Sequence, residues 1–494
     1  MSDKTRPNVL VVHTDQHRTE CLGAYGNNEI RTPNIDAIAS DGVRYDNSFC
    51  PYPVCTPSRY SLLCGQYVHE HRGWNNHCTL PPGTPTFPNL LQGAGYRTHA
   101  VGKMHFTPTY LDVGFAEMRL CEQDGPGRWD DDYHRDLREA GLVDWNDLED
   151  QRREYRARAR QVYWDTFGAL PSNLPEEYHA TTWTGQRAVD VLRGWKGGGN
   201  LLMAGFVKPH HPFDPPGEWA EAYDPDKLTL LPGWTPECFE HDLALHRGYF
   251  PHNELTEAAL RRVMAYYYAT IEHIDQQVGR MLAVLKEKGL YENTLIVVTS
   301  DHGEYLGYHH MLLKGNHPYE ALASVPLIIK FPSSAMAGES RTGLVCNLDV
   351  APTILRTCGL APAATMKGLD LARDKDGREH VFLECSLGNQ RMVRTASRKL
   401  VLSQEPAADL LYDLEADPGE RDNLIGDEGR RGEADALRQV LDAWRASEMP
   451  TELYLDEDAP VIDQPNVPER GDGHREEMAA YCQQKVKGLR GEVR

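Results

Sequence analysis

Asn8-Val9-Leu10-Val11-Val12-His13-Thr14-Asp15-Gln16 decides the fold class. Val9 to Thr14 is a continuous apolar run of the kind buried on both faces of a parallel sheet, and it ends on a carboxylate and an amide. Three later stretches repeat the plan. Tyr96 to Val101 leads into Gly102-Lys103-Met104-His105, Leu201 to Phe206 into Pro209-His210-His211-Pro212-Phe213, and Thr294 to Thr299 into Ser300-Asp301-His302-Gly303-Glu304. Helical patterns lie between them: Thr32 to Gly42 with a glycine stop, a helix ending over Leu90 to Gly95, and the long Leu260 to Leu290. The chain therefore reads as α/β. In open α/β sheets ligands bind beyond the carboxyl ends of the strands, so Asp15, Gln16, Lys103, His105, His210, Asp301 and His302 are expected to converge on one edge.

Cys55-Thr56-Pro57-Ser58-Arg59 adds a thiol, a helix start and a fixed cation. Thr56 suits a cap, Pro57 suits the first helical position, and Arg59, Leu62 and Leu63 continue a pattern that Gly65 closes. Cys55 is thereby expected at the positive end of a helix, where a sulfate or phosphate group can dock. The chain holds 11 cysteines in all, an odd and scattered set without zinc or disulfide spacing, and most read as reduced core thiols. That includes Cys50 and Cys64, despite their closeness to Cys55. Asp15, Gln16 and Asp301 offer hard oxygen ligands, and two such carboxylates side by side imply a divalent cation between them.

Cys55-Thr56-Pro57-Ser58-Arg59 with Tyr60-Ser61-Leu62-Leu63-Cys64-Gly65 resembles the signature of type I sulfatases, in which the cysteine is oxidised to formylglycine. The four strand-end blocks resemble that family's other blocks, in its order, and Leu411-Tyr412-Asp413-Leu414 extends the likeness to about residue 425. The resemblance implies an alkaline-phosphatase-like fold, a large mixed sheet sandwiched by helices with a smaller C-terminal α+β domain. It implies that Asp15, Gln16, Asp301, His302 and the modified Cys55 hold one metal ion. Many sulfatases carry Asp-Asp and Asp-Asn where this chain has Asp-Gln and Asp-His; calcium is the expected ion, with the histidine moving the balance toward manganese. Arg59, Lys103, His105, His210 and Lys314 are the matched positive or proton-bearing groups, with His210 favoured over His211.

The implied reaction is hydrolysis of a sulfate monoester. One hydroxyl of the hydrated formylglycine attacks sulfur in line while His210, with Lys314, protonates the departing alcohol. His105 then takes the proton of the second hydroxyl, sulfate leaves, and the aldehyde returns. Phosphonate monoester and phosphodiester hydrolases, which resemble this chain in the Asp-Gln and Asp-His choices, are the alternative. Other nucleophile schemes fit poorly: a cysteine phosphatase needs arginine where Ser61 stands, and no Gly-x-Ser-x-Gly elbow or Gly-Lys-Ser/Thr phosphate loop occurs. Ser324, two residues before Pro326, stands where many relatives have arginine.

At 494 residues the chain can bury a large core, and a net charge of −21 from 52 basic and 73 acidic residues argues against a nucleic-acid or anionic-membrane surface. A polar start and no membrane-length apolar run point to a cytoplasmic protein. Expected partners are a small or terminally sulfated ester, the formylglycine-generating enzyme that would modify Cys55, and a second copy in a homo-oligomer. Residues 1–375 read as the catalytic unit, 376–449 as the small α+β unit, and 450–494 as a tail or an oligomerisation arm. Within the first, 122–200 reads as an insertion that, with the loop Pro215 to Pro232, sets leaving-group specificity. Its basic stretch Arg152 to Arg160 is expected to be a solvated helical face, and His69, His71, His77, His309 and His310 to be exposed.

Overall fold

A computed structural model describes residues 6–124, 127–245, 250, 252–315, 317–386, 389–445 and 474–491. The apolar runs become strands β1 (Asn8–Asp15), β2 (Val43–Phe49), β3 (Arg97–Gly102), β4 (Glu117–Leu120), β5 (Asn200–Pro209), β6 (Thr294–Ser300), β7 (Leu327–Lys330) and β8 (Glu339–Cys346). They make one mixed sheet in the order β4-β3-β5-β1-β6-β7-β2-β8. β1 runs parallel to β5 and β6, placing Val9 opposite Leu201 and Leu295, and β3 runs parallel to β5. Two antiparallel pairings, β6 with β7 and β7 with β2, return β2 to the direction of β1. β4 runs parallel to β3 and β8 parallel to β2, so every strand but β7 ends at the same edge.

Both faces of β1 are apolar because both are covered. Val9 and Val11 join Leu201, Met203, Leu295 and Val297 in a core shared with Leu62 and Leu63, on the face where the helix Val350–Thr357 adds Ile354 and Leu355. Leu10 and Val12 join Leu202, Ala204, Ile296 and Val298 on the other face, beneath the helices Ala180–Gly194 and Glu257–Glu287. Each such side chain contributes about 1.5–3 kcal/mol when fully buried, which outweighs any amphipathic pattern. At the working edge β1 shifts register against β5 between His13 and Asp15, a bulge of the sort that re-aims a side chain. Gly102 and Gly205 face each other there, and a Cβ on Gly205 would collide with the Lys103 carbonyl, so only glycine lets the chain carrying Lys103 cross β5.

A second, antiparallel sheet holds β9 (Val381–Cys385), β10 (Gln390–Arg394), β11 (Arg398–Ser403) and β12 (Leu410–Asp413), in the order β12-β11-β10-β9. One face packs on the helix Arg431–Trp444 through Leu437 and Leu441; the other joins Tyr305, Tyr319 and Leu322 beside the large sheet. This is the expected smaller C-terminal unit. Of the expected tail 450–494, residues 450–473 and 492–494 lie outside the described residues, and the helix His474–Leu489 lays Met478, Cys482 and Val486 against Trp129, Trp145 and Leu148 of the same chain.

Several surface expectations are corrected. The stretch 152–160 is a solvated face only in part: Arg153, Glu154, Ala157 and Arg158 are exposed, but only Arg153–Arg156 is helical, Arg156 stacks among Tyr163, Trp164 and Phe250, and Arg160 lies 3.9 Å from the Trp145 ring centroid while pairing with Glu149. His69 and His71 are buried, against Glu384 and Ser61, and His77 is half-buried. His309 and His310 are buried too, on Asp242 and on the Thr235 carbonyl. For the four buried rings the partner lies far along the chain or in another element, so hydropathy alone read a polar side chain as exposed. The eleven cysteines are free.

Candidate active site

Helix α1 (Pro33–Ser40) precedes β2; helix α2 (Cys55–Cys64) begins at the edge where β1, β3, β5 and β6 end, and all ten of its residues are buried. Cys55 is its first residue and Gly65, at φ 64°, closes it. The cap differs from expectation. Val54 stands at the cap position, the Thr56 N–H donates to Asn76 Oδ1 (3.1 Å), and the Thr56 hydroxyl donates to the His105 carbonyl (2.8 Å), so Thr56 ties the helix start to the Lys103 block.

Arg59, one turn on, is buried between both carboxylates: Nη2 reaches Asp15 Oδ2 at 3.0 Å and Nε reaches Asp301 Oδ2 at 2.9 Å, while Nη1 donates to the Lys103 carbonyl at 2.7 Å. Lys103 Nζ adds a second cation to Asp15 Oδ2 at 2.8 Å. Part of the positive charge that two adjacent carboxylates demand is therefore built in. Burial alone would raise the Asp15 carboxyl, but Lys103, then His210, Lys314 and Arg59, hold it well below the usual range. Asp301 is lowered as well: burial and Asp15 oppose this, and Arg59, His302 and His13 together act against them.

The other oxygen of each carboxylate belongs to the Cys55 side. Cys55 Sγ lies 3.6 Å from Asp15 Oδ1 and 3.4 Å from His302 Nε2, and His302 Nε2 lies 3.8 Å from Oδ1 of both Asp15 and Asp301. One ligand atom from each of Asp15, Cys55, Asp301 and His302 falls within 4.8 Å of the others. Four ligand atoms gathered this closely can converge on a single ion. Two further features fit a cation. His302 Nδ1 sits 2.9 Å from the Gly303 carbonyl, which assigns its proton there and leaves the Nε2 lone pair for the cluster. Gln16 Oε1 is buried without a hydrogen-bond partner, while its Nε2 donates to Glu304. These residues suit a divalent ion.

Lys314 closes the site from the loop after β6. Its Nζ lies 2.9 Å from Cys55 Sγ, 3.0 Å from His210 Nε2 and 3.1 Å from His302 Nε2. His210 Nδ1 is 2.7 Å from the His211 carbonyl, so its Nε2 accepts from Lys314. Burial, then Lys314, pushes the His210 imidazole well below its ordinary range, keeping it neutral. His211 turns away to Asp150. Lys208 braces this turn, donating to the Pro212 carbonyl at 2.6 Å and pairing with Asp214 at 2.5 Å. His105, at φ 56° with its N–H on Glu122, is lowered to about 4 by burial and then by Lys103.

All the strand-end residues named from sequence meet here, together with Cys55, Arg59 and Lys314. Three contributors were given no role from the sequence. Gln123 accepts from Lys103 Nζ (3.3 Å) and donates to Asp147 (2.7 Å) and the His211 carbonyl (2.7 Å); Tyr267 bonds the Gln16 carbonyl (2.6 Å) from the long helix; and Glu304 receives Gln16. Glu304 stood in a recognised block, but only its contacts give it a role. Ser324 bonds Thr19 at 3.1 Å.

The sulfatase family model matches residues 7–360, and that for the C-terminal part of N-sulphoglucosamine sulphohydrolase matches 308–447. An arylsulfatase of Clostridium perfringens is 30% identical over 475 residues, covering 88% of this chain and 94% of that protein. An N-acetylglucosamine-6-O-sulfatase of Bacteroides thetaiotaomicron is 26% identical over 481 residues, covering 88% and 86%. The phosphonate monoester hydrolase of Agrobacterium radiobacter superposes with a TM-score of 0.75 at 24% identity, covering 89% of this chain and 96% of that one. This last likeness shows the fold. The family match extends from the start of β1 through the sheet that brings Cys55, Asp15 and Asp301 together, and the chain belongs to the sulfatase family of alkaline-phosphatase-like hydrolases.

Proposed function

We propose that the protein hydrolyses a sulfate monoester with Cys55 as the precursor of its nucleophile. The observation that carries this reading is the placement of Cys55 Sγ among Asp15, His302 and Lys314 at the buried start of α2. Oxidised to formylglycine and hydrated, Cys55 supplies one hydroxyl to attack sulfur and a second whose deprotonation releases sulfate. One divalent ion, calcium first and manganese as the alternative, held by Asp15, Gln16, Asp301, His302 and residue 55, supplies positive charge that eases ionisation of that hydroxyl.

The other residues bind, orient and move protons. Arg59 and Lys103 fix the Asp15 and Asp301 carboxylates, and Lys103 and Lys314 add positive charge for the ester's oxygens and for charge growing in the transition state. The proton for the departing alcohol resides on the Lys314–His210 pair. Because His210 is neutral and accepts from Lys314, Nζ carries that proton in the resting enzyme. His105, neutral beside the start of α2, is the base for the second hydroxyl.

The substrate is a small or terminally sulfated ester, chosen at the rim that segment 122–200 builds through Gln123 and Asp150. A net charge of −21 disfavours long polyanions and nucleic acid. The eleven free thiols support a cytoplasmic location, where a formylglycine-generating enzyme would be the modifying partner. No helix among the described residues is long and apolar enough to cross a membrane. A homo-oligomer is the proposed assembly. The test is an aryl sulfate against an aryl phosphonate on one purified batch. Sulfate turnover is expected to dominate; dominant phosphonate turnover would replace this reading with that of a phosphonate monoester hydrolase carrying the same nucleophile.

A further inference from the structure

A glutamine side chain has two ends that differ in what they can bind, and little in shape. At Gln16 the backbone leaves no other freedom. Its N–H donates to Asp301 Oδ1 at 3.0 Å, its carbonyl accepts from Tyr267 at 2.6 Å, and its φ of 64° is a conformation that non-glycine residues hold only when their surroundings impose it. What remains undetermined by the main chain is which end of the amide faces Glu304.

Glu304 decides it. The carboxylate is fully buried, and three donors point at its two oxygens: Oε1 accepts the N–H groups of Leu306 (3.1 Å) and Leu313, and Oε2 accepts Gln16 Nε2. With Oε1 taken by the two backbone N–H groups, the amide end that the structure sets against Oε2 is the NH2. Gln16 Oε1 is then the end left over, and it is a buried oxygen with no hydrogen-bond partner. Such an atom is unfavourable unless something meets it. We propose that Glu304 is a positioning residue that fixes the Gln16 amide with its oxygen free for the divalent cation, and that it does so by accepting from Nε2 while anchoring the strand-end loop at Leu306 and Leu313. The inference rests on the cation reading given above.

An isosteric change isolates the effect. In Glu304→Gln the two backbone donors hold the new amide oxygen at the Oε1 position, which turns the new NH2 toward Gln16. Two NH2 groups cannot face each other, so Gln16 rotates its amide, bonds the new NH2 with its own oxygen, and offers NH2 to the cation. The number of hydrogen bonds is conserved and the fold is expected to persist.

The experiment is calorimetric titration of calcium and of manganese into chelator-treated full-length protein, with the melting temperature recorded without and with metal. For Glu304→Gln the metal Kd is expected to rise about 10–100-fold, the range for loss of a ligand's supporting partner, with the metal-free melting temperature unchanged. Gln16→Ala is expected to weaken binding similarly, and the double variant Gln16→Ala with Glu304→Gln to be no weaker than Gln16→Ala alone, since Glu304 acts through Gln16. Wild-type affinity in Glu304→Gln, or losses that add in the double variant, would overturn the positioning role alone. Failure of the wild type to bind either ion would overturn the cation reading and this inference with it.

Discussion

At the scale of the residue, Lys314 holds the most exposed claim about chemistry. Its Nζ touches Cys55 and His210, and only a group that gives a proton to the leaving oxygen should matter in proportion to how badly that oxygen needs one. Lys314→Ala is expected to lower kcat about 10²–10⁴-fold on an alkyl sulfate. On 4-nitrophenyl sulfate, whose leaving group departs as a stable anion, the loss should be much smaller. Paired kinetics on the two esters check this; equal losses would assign Lys314 to charge alone. Residue by residue, the strand-end groups were legible because a buried parallel strand announces itself and its last residues must face the edge. Gln123 and Tyr267 were not, since Gln123 acts through partners 20 or more residues away and Tyr267 through one 251 away, which local pattern cannot see. Nor was the direction of His211, whose ring is claimed by Asp150.

At the scale of the element, the helix Trp145–Gln151 links the far surface to the site. Its Asp147 receives Gln123 and its Asp150 receives His211, while Trp145 and Leu148 are covered by Met478, Cys482 and Val486 of the last described helix. Those three recur every four residues, one stripe of a helix. Met478→Ala, a buried large-to-small change costing about 2–5 kcal/mol at fully packed sites, should loosen this support. Since Gln123 and His211 orient the rim and do not touch the reacting atom, KM for a sulfate ester is expected to rise by more than kcat falls. Steady-state kinetics with an unfolding curve on the same sample would check it; lost stability with unchanged KM would confine the helix to a structural part. Sequence reading marked segment 122–200 as a specificity insertion but took its arginines for a wet surface. Arg156 and Arg160 instead pack on rings, one of them Phe250, which no spacing rule connects to them.

For the molecule as a whole, buried neutral histidines make acid a general destabiliser. Burial lowers His71 and His273 to about 3, and their partners, Ser61 and Thr182 hydroxyls, suit the neutral ring. An unfolded histidine titrates near 6.5, so as pH falls below that value the unfolded chain takes up protons that the fold refuses. This contribution to stability is complete above pH 6.5 and declines toward pH 3 by about 1.4 kcal/mol per pH unit for each such histidine. Denaturant midpoints are expected to be clearly lower at pH 5 than at pH 7; equal midpoints would mean that these rings protonate in place. The large architecture was readable because β1, β3, β5 and β6 are all covered on both faces, whereas the fate of polar surface residues depended on contacts with the second sheet and with 233–242 that only the folded chain brings together.

These levels meet at residue 55, where the start of α2 delivers one side chain to two clamped carboxylates. The most direct measurement is the mass of the proteolytic peptide containing Cys55, taken on several batches whose sulfatase turnover has been measured. Turnover is expected to rise in proportion to the fraction carrying an aldehyde in place of the thiol and to vanish in Cys55→Ala. Full turnover by protein whose Cys55 remains a thiol would contradict it.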